Sequence, residues 1–134
     1  MDCLFCKIIK NPCNEKIIYE DENVFVVPSL RAVCNGHILV IPKKHTDFFF
    51  NMEDDEYLEL MKITKKIAKA LQKAYGSTTV GIMLNGFEIL HVHLHLVPRS
   101  KFGELDQKNL KTLSIEEMEE TAIKIKKVIE EEGL

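Results

Sequence analysis

The stretch HVHLHLVPR, residues 91–99, places His91, His93 and His95 at alternate positions. The chain has five histidines in 134 residues, so three within five residues is a concentration that composition does not explain. Neutral imidazole is a nucleophile and a base near neutral pH, because its unperturbed pKa is about 6.5. Protonated imidazole is a donor suited to phosphate oxygens. Such a row can hold one neutral histidine for attack on phosphorus and others for charge stabilisation. The product of attack would be a phospho- or nucleotidyl-histidine, which splits a transfer into two steps. Two other readings of the row stand beside this one: metal ligation, and the polar side of a half-exposed strand. In a strand the three histidines share one face and Val92, Leu94 and Leu96 the other. At ~3.3 Å per residue the outer two are about 13 Å apart, so neighbours can share an ion but all three would converge on one only with strain.

A second group with chemistry is CLFC, Cys3 to Cys6. The Cys-x2-Cys spacing suits half of a tetrahedral zinc site. The sequence has no second such pair, so two further ligands must come from elsewhere, and histidines are the natural candidates. Two buried structural cysteines are the main rival. A redox pair fits less well, because no strand precedes the motif.

The elements that must position these residues can be read from periodicity. LFCKIIK reads as a short helix that buries Leu4, Phe5 and Ile8. KIIYE (16–20) and VFVVPS (24–29) read as a hairpin across the acidic turn DEN, followed by a loop RAVCNG and a strand HILVIP that Pro42 stops. From about Glu53 to Tyr75, Tyr57, Leu60, Met61, Thr64, Ile67, Ala68, Leu71 and Tyr75 recur at spacings of three and four, which predicts a long helix with one buried stripe. Acidic residues open it, which suits the helix dipole, and Gly76 stops it. TVGIML (79–84) and LHVHLHLV (90–97) read as strands around the loop NGFEI. Ser114 and Glu117 form a capping-box pattern that opens a last helix, with Ile115, Met118, Ala122, Ile125 and Ile129 as its apolar stripe and a frayed acidic end, EEEGL. The order of strands, helix, strands and helix predicts an α+β fold with a mostly antiparallel sheet.

Composition narrows the function classes. The apolar fraction is 46%, the charged fraction 29% and the formal net charge −3, which suits one soluble globular domain. That balance gives no electrostatic case for nucleic acid or a membrane surface as a bulk partner. No apolar run approaches the roughly 18 residues of a membrane span, and MDCLFCKIIK lacks the apolar core of a secretory signal. A cytoplasmic or nuclear location is the expectation, where the four cysteines Cys3, Cys6, Cys13 and Cys34 stay reduced.

HVHLHLV fits the His-x-His-x-His-x-x signature, with apolar x, of the histidine triad (HIT) family. GHILVIPKKH (36–45) resembles that family's strand and turn before its long helix, and CLFCKII with YEDENVFVV resembles the opening of members with an N-terminal Cys-x2-Cys. The resemblance runs from about Cys3 to Arg99 and is closest to the small nucleotide phosphoramidases and hydrolases. Residues 103–134 are less diagnostic and read as a C-terminal extension of the same single domain.

The resemblance implies a HIT-like fold with a five-stranded sheet, one long central helix, a short N-terminal helix and a C-terminal helix, assembled as a homodimer. It implies cleavage of a bond to the α-phosphate of a purine nucleoside phosphate, a phosphoramidate or a mixed anhydride. His93 matches the nucleophile, His95 the histidine that contacts phosphate oxygens, and His37 a further histidine beside the site. Cys3, Cys6, His45 and His91 match the ligands of a structural zinc. Leu4, Phe5, Ile8, Val27 and Leu30 match an apolar base pocket, and Asn85 an asparagine near ribose or phosphate. In that reading no organic cofactor is required.

Two departures from the family pattern follow. Ser29 stands where members usually place an acidic residue for the ribose hydroxyls. Only five residues separate Asn85 from His91, where members have a longer Gly-rich loop with a Gln and a Ser or Thr. Phe87 and Glu88 occupy what remains. An alternative therefore stands beside the hydrolase: a nucleotide- or protein-binding module with weak or no hydrolase activity.

Overall fold

The computed structural model describes residues 3–11 and 16–134; Cys13 lies outside them. Short helix α1 spans Leu4–Lys10. The strands that follow are β1 (Tyr19–Glu20), β2 (Val24–Pro28), β3 (Arg31–Ala32) and β4 (Ile38–Pro42). Long helix α2 (Asp54–Tyr75) leads to β5 (Thr79–Met83) and β6 (Leu94–Arg99), and β7 (Lys111–Thr112) precedes α3 (Ile115–Glu132). The main sheet has five strands in the order β1-β2-β4-β6-β5, every pair antiparallel. The α+β architecture expected from the sequence is the architecture observed.

Strand alternation divides the sheet into two faces. Val24, Val26, Ile38, Val40, Leu94 and Leu96 point to the side of α2 and α3, where they join Leu60, Ile67, Leu71, Ala122 and Ile125 in the main core. Phe25, Leu39 and Ile41 point to the other side and pack with Cys3 and Phe5 from α1. His95 pairs with Leu39 across β6 and β4, so it shares that second face. The chemistry-bearing residues therefore sit away from the helical layer, on the face that α1 only partly covers.

Several expectations need correction. The strand expected over 90–97 joins the ladder only at Leu94. Register explains why: Val40 pairs with Leu94, so the next opposite pairs would be Ile41 with His93 and Pro42 with Val92. Pro42 has no N–H to give, its carbonyl takes the His91 ring, and the Val92 N–H turns to the Thr46 carbonyl at 2.9 Å. In α1, Phe5 is buried and Ile8 half-buried, but Leu4 is 53% exposed. The α2 stripe is centred slightly differently, since Ile63 and Ala70 are buried while Tyr57 is exposed. RAVCNG is not wholly a loop, because Arg31 and Ala32 pair with Lys111 and Thr112.

The last helix behaves as its capping pattern predicts. The Glu117 N–H donates to Ser114 Oγ and the Ser114 N–H to Glu117 Oε1. It packs on this chain's own α2 and β2. Its acidic end is helical through Glu132, which pairs with Lys73 of α2, and Gly133 caps it in the left-handed region that favours glycine. Ile115 is exposed rather than part of the buried stripe. Among the described residues, no helix is long and apolar enough to cross a membrane.

Candidate functional site

Four of the five histidines are held by backbone groups or by one another, and those contacts assign their protons. The Val33 N–H donates to His37 Nδ1 at 3.1 Å, so the His37 proton is on Nε2. That Nε2–H donates to His95 Nδ1 at 2.8 Å, which places the His95 proton on its own Nε2. His93 Nδ1–H donates to the His91 carbonyl at 2.8 Å, leaving the Nε2 lone pair free. His91 Nε2–H donates to the Pro42 carbonyl at 2.7 Å, leaving its Nδ1 lone pair free. Burial holds the neutral forms: desolvation, then the charge of His95, pushes the His37 pKa down to about 4, and desolvation, then His93, does the same for His95. Desolvation also lowers the His91 pKa.

The His91 ring faces away from the other two, although its carbonyl holds His93. Its ring is fully buried and turned toward the N-terminus of the chain. Its Nδ1 lies 3.3 Å from Cys3 Sγ, 3.6 Å from Cys6 Sγ and 3.1 Å from His45 Nδ1, and Cys6 Sγ lies 3.5 Å from His45 Nδ1. The four ligand atoms are all within 4.8 Å of one another. A tetrahedral ion with bonds of about 2.0–2.3 Å sets ligand–ligand edges of roughly 3.3–3.8 Å, close to the distances found. The Pro42 carbonyl on the far nitrogen of His91 is the outer contact that orients a histidine ligand and frees its other nitrogen. Burial, then neighbouring Cys3, raises the Cys6 thiol pKa; a dication in the cluster would oppose that. These residues fit a metal ion.

The apolar residues expected beside His93 are partly gathered there. The Phe5 ring packs on His93 at a centroid distance of 4.8 Å, and Ile8 and Val27 belong to the same cluster. Leu4 and Leu30 are each more than half exposed. Ser29 is buried and its hydroxyl donates to the Arg31 carbonyl at 2.6 Å, so its proton is used within the turn. Asn85 is exposed and lines a cavity of about 220 Å³ that reaches His93. Glu88 is exposed and is not among the residues lining that cavity.

Sequence reasoning missed the other walls of that cavity. Phe48, Phe49 and Phe50 line it with Asp47, beside the Phe87 already noted in the short loop. The run FFF was a visible signal, but it lies outside any periodic element.

The family model for the HIT domain matches residues 11–102. The chain belongs to the HIT family. An uncharacterised HIT-like protein of Methanocaldococcus jannaschii is 37% identical over 119 residues, covering 81% of this chain and 92% of that protein. The adenosine 5′-monophosphoramidase of Candida albicans is 28% identical over 109 residues, covering 72% and 70%. The crystal structure of a zinc-bound histidine triad family protein from Mycobacterium smegmatis superposes with a TM-score of 0.84 at 26% identity, covering 99% and 96%. This HIT protein thus has the fold of the family's nucleotide-binding hydrolases, a histidine cluster like their triad, and a Cys2His2 cluster able to bind a metal.

Proposed function

We propose that this HIT protein is a nucleotidyl hydrolase or transferase that works through His93, on a bond between the α-phosphate of a nucleoside phosphate and an amine or acyl group. The observation that carries this reading is the 2.8 Å bond from His93 Nδ1–H to the His91 carbonyl. In the neutral ring that bond puts the lone pair on Nε2, and it places a carbonyl dipole where positive charge develops as that nitrogen attacks. The Nε2 lone pair forms a bond to phosphorus, and the bond to the leaving group breaks with its electron pair. The leaving group takes a proton from solvent. Water then attacks phosphorus, the histidine–phosphorus bond breaks, and the water proton returns to solvent. His95 Nε2–H is the donor for a phosphate oxygen, and His37 fixes that tautomer. Phe5, Ile8 and Val27 form the wall for the base, with Leu4 and Leu30 at its open edge, and Asn85 reaches the ribose or phosphate. Ser29 supports the turn beside the ribose.

In this reading Cys3, Cys6, His45 and His91 hold a structural zinc, as the zinc-bound relative supports. It pins α1, and with it Phe5, against the core. Both cysteines must stay reduced, which suits a cytoplasmic or nuclear location. A homodimer joined through the outer edge of β5, where Ile82 is 49% exposed, completes the proposal.

The test is a set of nucleoside phosphoramidates, including the adenosine compound named for the Candida albicans relative. Acid quenching followed by mass spectrometry should find a nucleotidyl adduct on His93, and His93→Ala should abolish adduct and turnover. No turnover of any member of the set overturns the hydrolase. A second reading, a nucleotide- or protein-binding module, is favoured by one observation: between Asn85 and His91 the chain presents exposed Phe87 and Glu88 rather than uncharged polar side chains that could donate to a phosphate. Calorimetric binding of the same nucleotides without turnover supports that module.

A further inference from the structure

The 220 Å³ cavity beside His93 has a chemistry of its own. Phe48 and Phe50 stack with centroids 5.3 Å apart, and Phe49 meets Phe50 edge-on at 5.7 Å. Phe87 faces the cavity from the short loop after Asn85. Phe50 is 71% and Phe87 87% exposed, so rings that water solvates poorly stand open around one hollow. Gly86, at a φ of 76°, turns the loop against Phe48, whose Cδ1 would lie 3.8 Å from a Cβ at that glycine. The single charged side chain among those lining the cavity, histidines aside, is the carboxylate of Asp47. Phe5, Ile8 and Val27, the wall assigned to the base, do not line it, nor do His37 and His95. His93 borders both regions, packed on Phe5 and open to the cavity.

A nucleophile between two compartments receives the two halves of a substrate from either side. We propose that the cavity lined by Phe48, Phe50, Phe87 and Asp47 is the leaving-group subsite, and that its occupant is an alkyl amine whose side chain bears an aromatic ring. This rests on the reading of His93 as the nucleophile. The rings offer stacked and edge-on contacts to a planar group. The carboxylate accepts from the amine nitrogen and rejects leaving groups that carry phosphate. The size suits one ring or two fused rings, not a second nucleotide. In the step itself the P–N bond breaks with its electron pair going to the amine nitrogen. That nitrogen gains a proton from water and departs as the amine, while His93 Nε2 takes its place on phosphorus.

The experiment compares two AMP phosphoramidates whose amines have similar basicity, N-butyl and N-(2-phenylethyl). The wild-type protein should show a kcat/KM about ten-fold or more higher for the phenylethyl compound. In Phe87→Ala and Phe50→Ala that ratio should fall toward one. Equal kcat/KM for the two compounds overturns the aromatic subsite and leaves the His93 reading intact, because both are turned over. A ratio that survives both substitutions also overturns it. If neither compound is turned over, the His93 reading and the leaving-group role fall together, and calorimetry with the same pair tests the pocket alone. Tighter binding of the phenylethyl compound by wild type, lost in Phe87→Ala, supports an aromatic pocket beside His93; equal binding overturns it.

Discussion

Replacing His37 by phenylalanine tests the proton arrangement at its root. His37 is 1% exposed, and its two ring nitrogens are both engaged, Nδ1 by the Val33 N–H and Nε2 by His95 Nδ1. Phenylalanine keeps the planar ring and removes both partners. Orphaning a buried polar group costs about 1–3 kcal/mol. Val33 is buried, so its N–H bears most of that, whereas half-buried His95 can turn to water and bears less. The sum is about 2–4 kcal/mol, which in urea, at a mid-range slope of ~2 kcal/mol per molar, moves the midpoint down by about 1–2 M. The pH dependence carries its own sign. The His37 and His95 pKa values fall from 6.5 to about 4 on folding. The unfolded chain then binds more protons between those values, so stability is fully present above pH 6.5 and is lost as pH falls through about 4. The variant lacks one of these groups and relieves the other, so its stability gap to wild type should narrow between pH 7 and pH 5. Taking that difference cancels the acid sensitivity of the cysteine–histidine cluster, which both proteins share. Long-range proton–nitrogen NMR should find the wild-type His95 proton on Nε2 and a mixture of tautomers in the variant. A wild-type His95 protonated on Nδ1, or a gap that widens on acidification, refutes the reasoning.

The remaining predictions concern the metal cluster and the backbone. Cys3→Ser should lower the bound metal measured by elemental analysis to a small fraction of one ion per chain and lower the thermal midpoint; full metal content in the variant would sink the ligand assignment. Gly36→Ala should cost about 2–4 kcal/mol, because its φ of 93° already costs an L-residue about 1–2 kcal/mol and the new Cβ would meet Pro98 Cγ and the Tyr75 ring at 3.0 Å. Gly76→Ala is the control: with φ at 60° and nothing within 4 Å, it should cost only about 1 kcal/mol in the same denaturation experiment. Equal losses at the two positions would mean that the contacts around Gly36 do not matter.

Much of this molecule was legible in the sequence because the signals were local. Ser114 and Glu117 marked a helix start and Gly76 a helix stop, and each acts within one turn. Strand alternation put His95 on the face opposite Leu94 and Leu96, as found, while His91 and His93 precede the strand. What the sequence left unread depends on distant partners. Arg31 and Ala32 become a strand only because Lys111 and Thr112 arrive beside them. The FFF run has no helical or strand period, so only the folded chain shows Phe48 and Phe50 facing Phe87 across a hollow. Leu4 reads as core by type, yet one turn of α1 carries it to solvent while Phe5 goes in.

The histidine row also shows why alternation alone was insufficient. Alternation puts residues 91, 93 and 95 on one face only if all three are in the strand, and the ladder begins at Leu94, after the first two. Before that point the backbone is free to leave the sheet. His91 then uses three separate groups: its Nδ1 faces the cysteines, its Nε2–H holds the Pro42 carbonyl, and its own carbonyl holds His93 Nδ1–H. The same residue is thus the most buried member of the cysteine–histidine cluster and the acceptor that holds the His93 tautomer. The ring and the carbonyl are each held by their own partner, so the cysteines near the start of the chain and the Nδ1 proton of His93 meet at one residue.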